Sequence, residues 1–125
     1  MLVSDIINQN RVLSISSVSS KKRLFQEIAG CLALDCNLSN DIIFTALKNR
    51  EQLGPTGMGN GIAIPHAKVN GIDTIKGMFI RLEKPVEFES MDKKKVDLIF
   101  TILAPTYSGV DHLKALAKVS RLLRN

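Results

Sequence analysis

The sequence predicts an α/β (α+β) fold, a mixed β-sheet flanked by helices, and three observations predict it. Helix-like and strand-like segments alternate along the chain instead of clustering by type. The segment from Val96 to Leu103 is almost wholly apolar, as a central strand covered on both faces is. Two segments with apolar residues at helical spacing each begin beside a serine able to cap a helix.

Val12 to Ile15 reads as a short strand. Ser19 or Ser20 caps a helix over Lys21 to Cys36, whose Leu24, Phe25, Ile28, Ala29 and Leu32 share one face. Ser39 caps a second helix, with Asp41 favourable in its first turn. That helix runs to about Leu53 and stops at Gly54-Pro55. Ile75 to Leu82 is a strand, and Val86 to Phe88 a short one set off by Pro85. Val96 to Leu103 is the central strand, ended by Pro105. A final helix begins near Ser108 or Asp111 and runs to the last residue. No repeat, linker or low-complexity stretch is visible, so residues 1–125 read as one domain, long enough for a single core.

Composition narrows the function classes. Apolar content of 45% and charged content of 23% fit a soluble globular protein. The longest apolar run, Leu98 to Ala104, is interrupted by Thr101 and is too short to cross a bilayer. Asp5 and the lack of an apolar core exclude a secretory signal at the N-terminus, so direct membrane insertion is not expected and a cytoplasmic location is. Cys31 and Cys36 lie five apart in a helix, off a common face, and read as reduced thiols. The net charge of +5 gathers in Lys21-Lys22-Arg23 and Lys93-Lys94-Lys95. Nucleic-acid binders use such runs for phosphates, but single-strand binders add stacking aromatics. With no Trp and one Tyr, and most of its five Phe in core-like patterns, the chain argues for solvated charge or a protein-docking patch and against nucleic acid.

The candidate site is Gly54 to Lys68, Gly-Pro-Thr-Gly-Met-Gly-Asn-Gly-Ile-Ala-Ile-Pro-His-Ala-Lys. Glycine permits positive φ and close approach to a ligand, while Pro65 holds Ile64 extended. A pliable loop leading into a short strand, Ile62 to Ile64, that ends on one imidazole, His66, is the expectation. Two helical residues stand against their apolar faces. Arg50 follows Leu47 by three and Ile43 by seven, and His112 precedes Leu116 by four and Val119 by seven. Alone, each reads as a snorkelling arginine or a satisfied core histidine. Together with His66 they can converge on one pocket.

Two histidines and an arginine, without a carboxylate constellation, suit phosphoryl transfer through a phosphohistidine. The nucleophile is a neutral imidazole, with one nitrogen free and its tautomer fixed by a hydrogen bond at the other. Arg50 offers a planar charged fork to the equatorial phosphoryl oxygens, and His112, in a helix first turn, a hydrogen bond. Thr56, Gly57, Gly59, Asn60 and Gly61 form the candidate phosphate loop. This chemistry calls for no metal and no cofactor. A metal site on His66 and His112 lacks a third ligand and any HxH or HExxH pattern. The alternating glycines fit neither a P-loop nor a dinucleotide fingerprint, and serine or cysteine nucleophile motifs are absent.

At these residues the chain resembles a known family. Arg50-Glu51 with the run through Pro65-His66 resembles the signature of the fructose/mannitol-type (type-2) enzyme IIA domains of the bacterial phosphotransferase system. Val96 to Phe100, Pro105 and His112-Leu113 resemble that family's later strand and helix. The match covers nearly the whole chain and looks most like the nitrogen-regulatory enzyme IIA. The resemblance implies a mixed sheet flanked by helices, with His66 phosphorylated by an HPr-like phosphocarrier and Arg50 and His112 at the other active-site positions. It further implies regulated targets such as potassium-transport or sensor-kinase components, or, in a sugar-transport member, transfer to a IIB domain. A binding-only regulatory module is the alternative of another class. Family members continue with a further helical segment, so the C-terminus is expected to lack it.

Overall fold

A computed structural model of the protein describes residues 2–124. Its strands are β1 (Val12–Ile15), β2 (Gly57–Gly59), β3 (Ile62–Ala63), β4 (His66–Val69), β5 (Lys76–Val86) and β6 (Val96–Pro105). Its helices are α1 (Lys21–Cys36), α2 (Asn40–Gln52) and α3 (Val110–Arg124), and short 3-10 turns occupy Val3–Asp5 and Gln9–Arg11. The mixed sheet flanked by helices is as the sequence predicts.

Local chemistry sets the helix ends. Ser20 accepts the N–H of Arg23 at 3.0 Å, and Ser39 that of Ile42 at 3.3 Å, so each supplies one of the acceptors a helix start lacks. Asn37 ends α1 in the left-handed conformation at φ 54°, which asparagine tolerates. The predicted face of α1 is buried in full: Leu24, Phe25, Ile28, Ala29 and Leu32 are 4% exposed or less.

The sheet runs β1-β5-β6-β3-β2, with β4 also paired to β6. β6 is the centre, antiparallel to β5 and parallel to both β3 and β4. Alternation along β6 explains its apolar sequence. Ile99 and Leu103 join the core under α1 and α2, whereas Phe100 and Ile102 join the core under α3. The same alternation puts Ala67 and Val69 of β4 on the α1/α2 side, and Ile62 and Ile64 on the α3 side.

Three expectations change. The glycine-rich stretch is a hairpin, β2 against β3, and not a pliable loop. Asn60 at φ 56° and Gly61 at φ 80° take the two positive-φ positions of its turn, the known preference of an Asn-Gly pair. His66 opens a strand instead of ending one. β3 and β4 are two parts of one line along β6, interrupted at Ile64-Pro65 because proline has no N–H to donate; Pro65 still accepts the N–H of Ile102 at 3.0 Å. Finally, Val86 to Phe88 is not a separate strand. β5 runs through Pro85 to Val86 across a register shift after Arg81, which accommodates the missing donor. The predicted end of α3 at Asn125 lies outside the described residues.

Candidate active site

Three elements bring the candidate residues together: the end of α2, the start of β4 and the start of α3. Arg50 is three residues from the end of α2 counting itself, half-buried, and its Nη1 donates to the carbonyl of Gly54 at 3.0 Å. This bond folds the chain back after the helix and aims the guanidinium at the β4 side. Arg50 and His66 line one cavity of about 380 Å³ with Thr56, Met58, Leu113 and Ser120. His112 is the third residue of α3 and is 8% exposed. It lies behind the cavity lining, with its ring edge-on to His66 at a centroid distance of 5.4 Å.

The His66 ring is held by its own chain. Nδ1 is 2.8 Å from the carbonyl oxygen of Ile64, two residues earlier. A carbonyl only accepts, so Nδ1 carries the hydrogen and the neutral ring keeps its lone pair on Nε2. The pre-proline conformation of Ile64 turns this carbonyl toward the ring. The N–H of Ile64 is itself bound to the Thr56 carbonyl at 3.0 Å, which pins the segment to the hairpin base.

Electrostatics keep both rings neutral. Burial pushes His66 below its ordinary value of 6.5. The Ile64 hydrogen bond opposes that, the Arg50 charge adds to it, and the Glu51 charge opposes it. His112 is lowered as well, by burial first and then by His66, Lys68 and Arg50. Its Nε2 is buried and has no hydrogen-bond partner in the protein. A buried polar atom left open is costly, so it is a group in want of a ligand atom.

The predicted loop divides. Thr56 lines the cavity. Gly57, Gly59 and Asn60 face the segment before β6 instead, and Gly61 the start of β6. A Cβ built on Gly57 would stand 2.1 Å from Ser90 Oγ, and one on Gly61 2.9 Å from Asp97 Oδ1. The Asn60 N–H donates to Asp92 Oδ2 at 2.9 Å, and the nearest side chain to Gly59 is also Asp92. Gly57 and Gly61 shape the hairpin because close packing there excludes a side chain, and Met58 takes the place at the cavity that the glycines were expected to hold. The Lys21 end of the basic run is not free solvated charge either. Its ammonium pairs with Glu51 at 2.8 Å and lies 4.4 Å over the Phe88 ring.

Sequence reasoning quoted Glu51 only as part of the signature and gave it no role, called for a hydrogen bond at the second His66 nitrogen without identifying the Ile64 carbonyl, and missed the α3 stripe of Leu113, Ala117 and Ser120. The stripe has a local signal, spacing of four and three along a helix. The Ile64 carbonyl has none beyond its place before proline. Among the described residues, no group of three or more His, Cys, Asp and Glu side chains is close enough to hold a metal ion.

Comparison with known proteins gives a family and relatives. A family model described as phosphoenolpyruvate-dependent sugar phosphotransferase system, EIIA 2, matches residues 5–125. A nitrogen regulatory protein of Bradyrhizobium diazoefficiens is 44% identical over 125 residues, covering 100% of this chain and 82% of the relative. The crystal structure of nitrogen regulatory protein IIA-Ntr from Neisseria meningitidis superposes with a TM-score of 0.94 at 38% identity, covering 100% of this chain and 86% of that one. The mannitol enzyme IIA of Escherichia coli, solved in complex with phosphorylated enzyme IIB, shares the fold. Its TM-score is 0.79 at 16% identity, over 96% of this chain and 84% of that one.

Proposed function

The chain belongs to the EIIA 2 family of the phosphoenolpyruvate-dependent sugar phosphotransferase system, and from that premise we propose that it is a nitrogen-regulatory phosphocarrier whose phosphoryl acceptor is His66. The observation that carries the reading is the ring pair. His66 has Nδ1 engaged by the Ile64 carbonyl and Nε2 left as nucleophile, and its ring stands edge-on to a buried His112 with an open Nε2. Arg50 supplies the fixed positive charge of the same cavity.

The step is an in-line exchange. The donor is a phosphohistidine on an HPr-like carrier. Its N–P bond breaks as the Nε2 lone pair of His66 forms the new one, and the donor imidazole recovers its own lone pair. Charge spreads over the three equatorial oxygens at the midpoint, so positioning and electrostatic stabilisation account for most of the rate. The Arg50 guanidinium offers paired N–H donors to those oxygens. His112, neutral because it is buried, donates one N–H to the phosphate without placing a second full charge beside His66. A lowered proton affinity at His66 keeps the nucleophilic form dominant near neutral pH. The phosphoryl group then serves as a signal on the cavity face, read by regulatory targets such as potassium-transport or sensor-kinase components. A cytoplasmic location goes with these proposed partners. No described helix is long and apolar enough to cross a membrane.

Onward transfer to a IIB domain is the second reading, favoured by the fold shared with a mannitol enzyme IIA that was solved with its phosphorylated IIB. One experiment addresses both. The protein is incubated with enzyme I, an HPr-like carrier and phosphoenolpyruvate, then weighed intact beside a His66→Ala control. A single acid-labile phosphate, absent from the control, is expected. Phosphate retained by the control removes His66 from its role. Addition of a purified IIB domain separates the two outputs, since only the sugar-transport reading expects rapid loss of the phosphate to it.

A further inference from the structure

Glu51 follows Arg50 in α2, yet its side chain turns inward and is only 8% exposed. Three donors meet its carboxylate. The Thr56 N–H reaches Oε2 at 2.8 Å, the Thr56 hydroxyl reaches Oε1 at 2.6 Å, and the Lys21 ammonium reaches Oε2 at 2.8 Å. Thr56, held at both its amide and its hydroxyl, accepts the Ile64 N–H at 3.0 Å through its own carbonyl. The Ile64 carbonyl accepts from His66 Nδ1 at 2.8 Å. An unbroken line of hydrogen bonds therefore runs from a buried carboxylate to the ring nitrogen that is not the nucleophile.

We propose that Glu51 is a positioning residue for His66: by clamping Thr56 at two points it fixes Ile64, and through the Ile64 carbonyl it selects the ring tautomer that leaves Nε2 free. This rests on the reading of His66 as phosphoryl acceptor. The two tautomers of a neutral imidazole differ little in energy, so the hydrogen bond at one nitrogen decides which is present. Hydrogen bonds to a carboxylate are short and strong, which makes the clamp stiffer than a neutral one. Lys21 offsets the carboxylate's burial, because an ion pair with further hydrogen bonds on both oxygens is the form in which a charge is tolerated inside. The groups facing the ring are Arg50 and Glu51 from α2 and His112 from α3, with Lys68 of β4 beside His112. Within that set Glu51 is the carboxylate, and its charge counters that of Arg50 at His66.

The test reads the tautomer directly, by long-range proton–nitrogen correlation spectra of the unphosphorylated protein across pH. In the wild type the neutral His66 is expected as the Nδ1–H form. In Glu51→Ala a substantial Nε2–H population appears, and phosphoryl acceptance slows about tenfold, the low end of the loss seen when the outer partner of a metal-ligating histidine is removed. Glu51→Gln keeps an acceptor and a donor facing Thr56, so it restores the tautomer while the His66 titration midpoint falls. Thr56→Val, which loses only the hydroxyl arm, shifts the tautomer in the same direction by less. It decides the matter if Glu51→Ala fails to fold. A folded Glu51→Ala, or failing that a folded Thr56→Val, with an unchanged His66 tautomer overturns the proposal. The spectra need no phosphoryl donor. A wild type that accepts no phosphate thus removes the reading of His66, while the tautomer ratio still decides the role of Glu51.

Discussion

Arg11, the last residue of a 3-10 turn, and Arg50, in the last turn of α2, are both arginines near a helical end, and the protein treats them in opposite ways. Arg11 is 5% exposed and engages all three of its guanidinium nitrogens in the fold. Nε donates to the Gly77 carbonyl at 2.8 Å, Nη1 to Asp35 at 2.6 Å and Nη2 to the Ile6 carbonyl at 3.2 Å. It ties the N-terminal turns to β5 and α1 with a bond from each of its three guanidinium nitrogens. Arg50 makes one bond, from Nη1 to the Gly54 carbonyl, and turns the remainder toward a cavity that also holds His66. Next to it stands His112, with a buried nitrogen that no protein atom satisfies. A saturated polar cluster is a structural device, whereas an unsaturated one beside a cavity is poised for a ligand.

Substitutions can break that contrast, taken from the largest effect downward. Arg50→Met is expected to slow phosphoryl acceptance about 10²- to 10³-fold, the usual result of removing one fixed donor from a transition-state charge. Its melting temperature should stay near that of the wild type; a normal rate in quantitative transfer assays would end the functional half of the comparison. Arg11→Met is the mirror case. It takes the guanidinium away from the Gly77 carbonyl and the Asp35 carboxylate and leaves the Ile6 carbonyl with the Gly77 N–H alone, and about 3 kcal/mol of stability should vanish in urea unfolding. Its transfer rate, measured where the variant remains folded, should be unaffected.

A smaller effect sharpens the point. Arg50→Lys keeps the charge but not the fork, and about a tenfold slowing is expected. Equal rates for Lys and Arg would reduce Arg50 to a point charge. The weakest effect is on pH dependence of stability. His66 and His112 bind protons less readily folded than unfolded. The unfolded chain therefore takes up protons first as pH falls below about 6.5, and unfolding becomes easier. The stabilisation is complete above that pH and is lost as pH falls through the lowered folded values. Melting curves between pH 7.5 and 5 should show this decline, and a His66→Gln, His112→Gln double variant should flatten it. An unchanged slope would mean that other groups govern acid stability.

Much of the molecule was legible because its cause is local. The caps at Ser20 and Ser39, the apolar face of α1 and the two-sided apolar run of β6 each depend on residues a few positions apart, and the structure follows them. Arg50 and His112 stood out for the same reason, as polar groups on apolar helical faces. The glycine stretch misled because glycine marks both ligand approach and tight packing. Gly57 and Gly61 serve the second purpose, against Ser90 and Asp97, partners more than thirty residues away. Arg11 carries no mark in the residue pattern, since two of its three partners come from β5 and α1 and the third is a backbone carbonyl, that of Ile6.

By itself, then, the sequence determined the helices and the serine caps of the first two, the central strand, the family signature and the three side chains worth testing. Each of these is written in spacing along one segment, because helix and strand periodicity is a short-range property of the backbone. The tertiary structure alone decided that His66 and His112 stand edge to edge, that the Asn60-Gly61 turn folds the glycines away from the cavity, and that Glu51 reaches His66 through Thr56 and Ile64. The ring pair depends on sheet order and on which face β4 turns to α3; the line from Glu51 is built of steps of five, eight and two residues, and what the pattern of residue types leaves open is that backbone groups join those steps end to end.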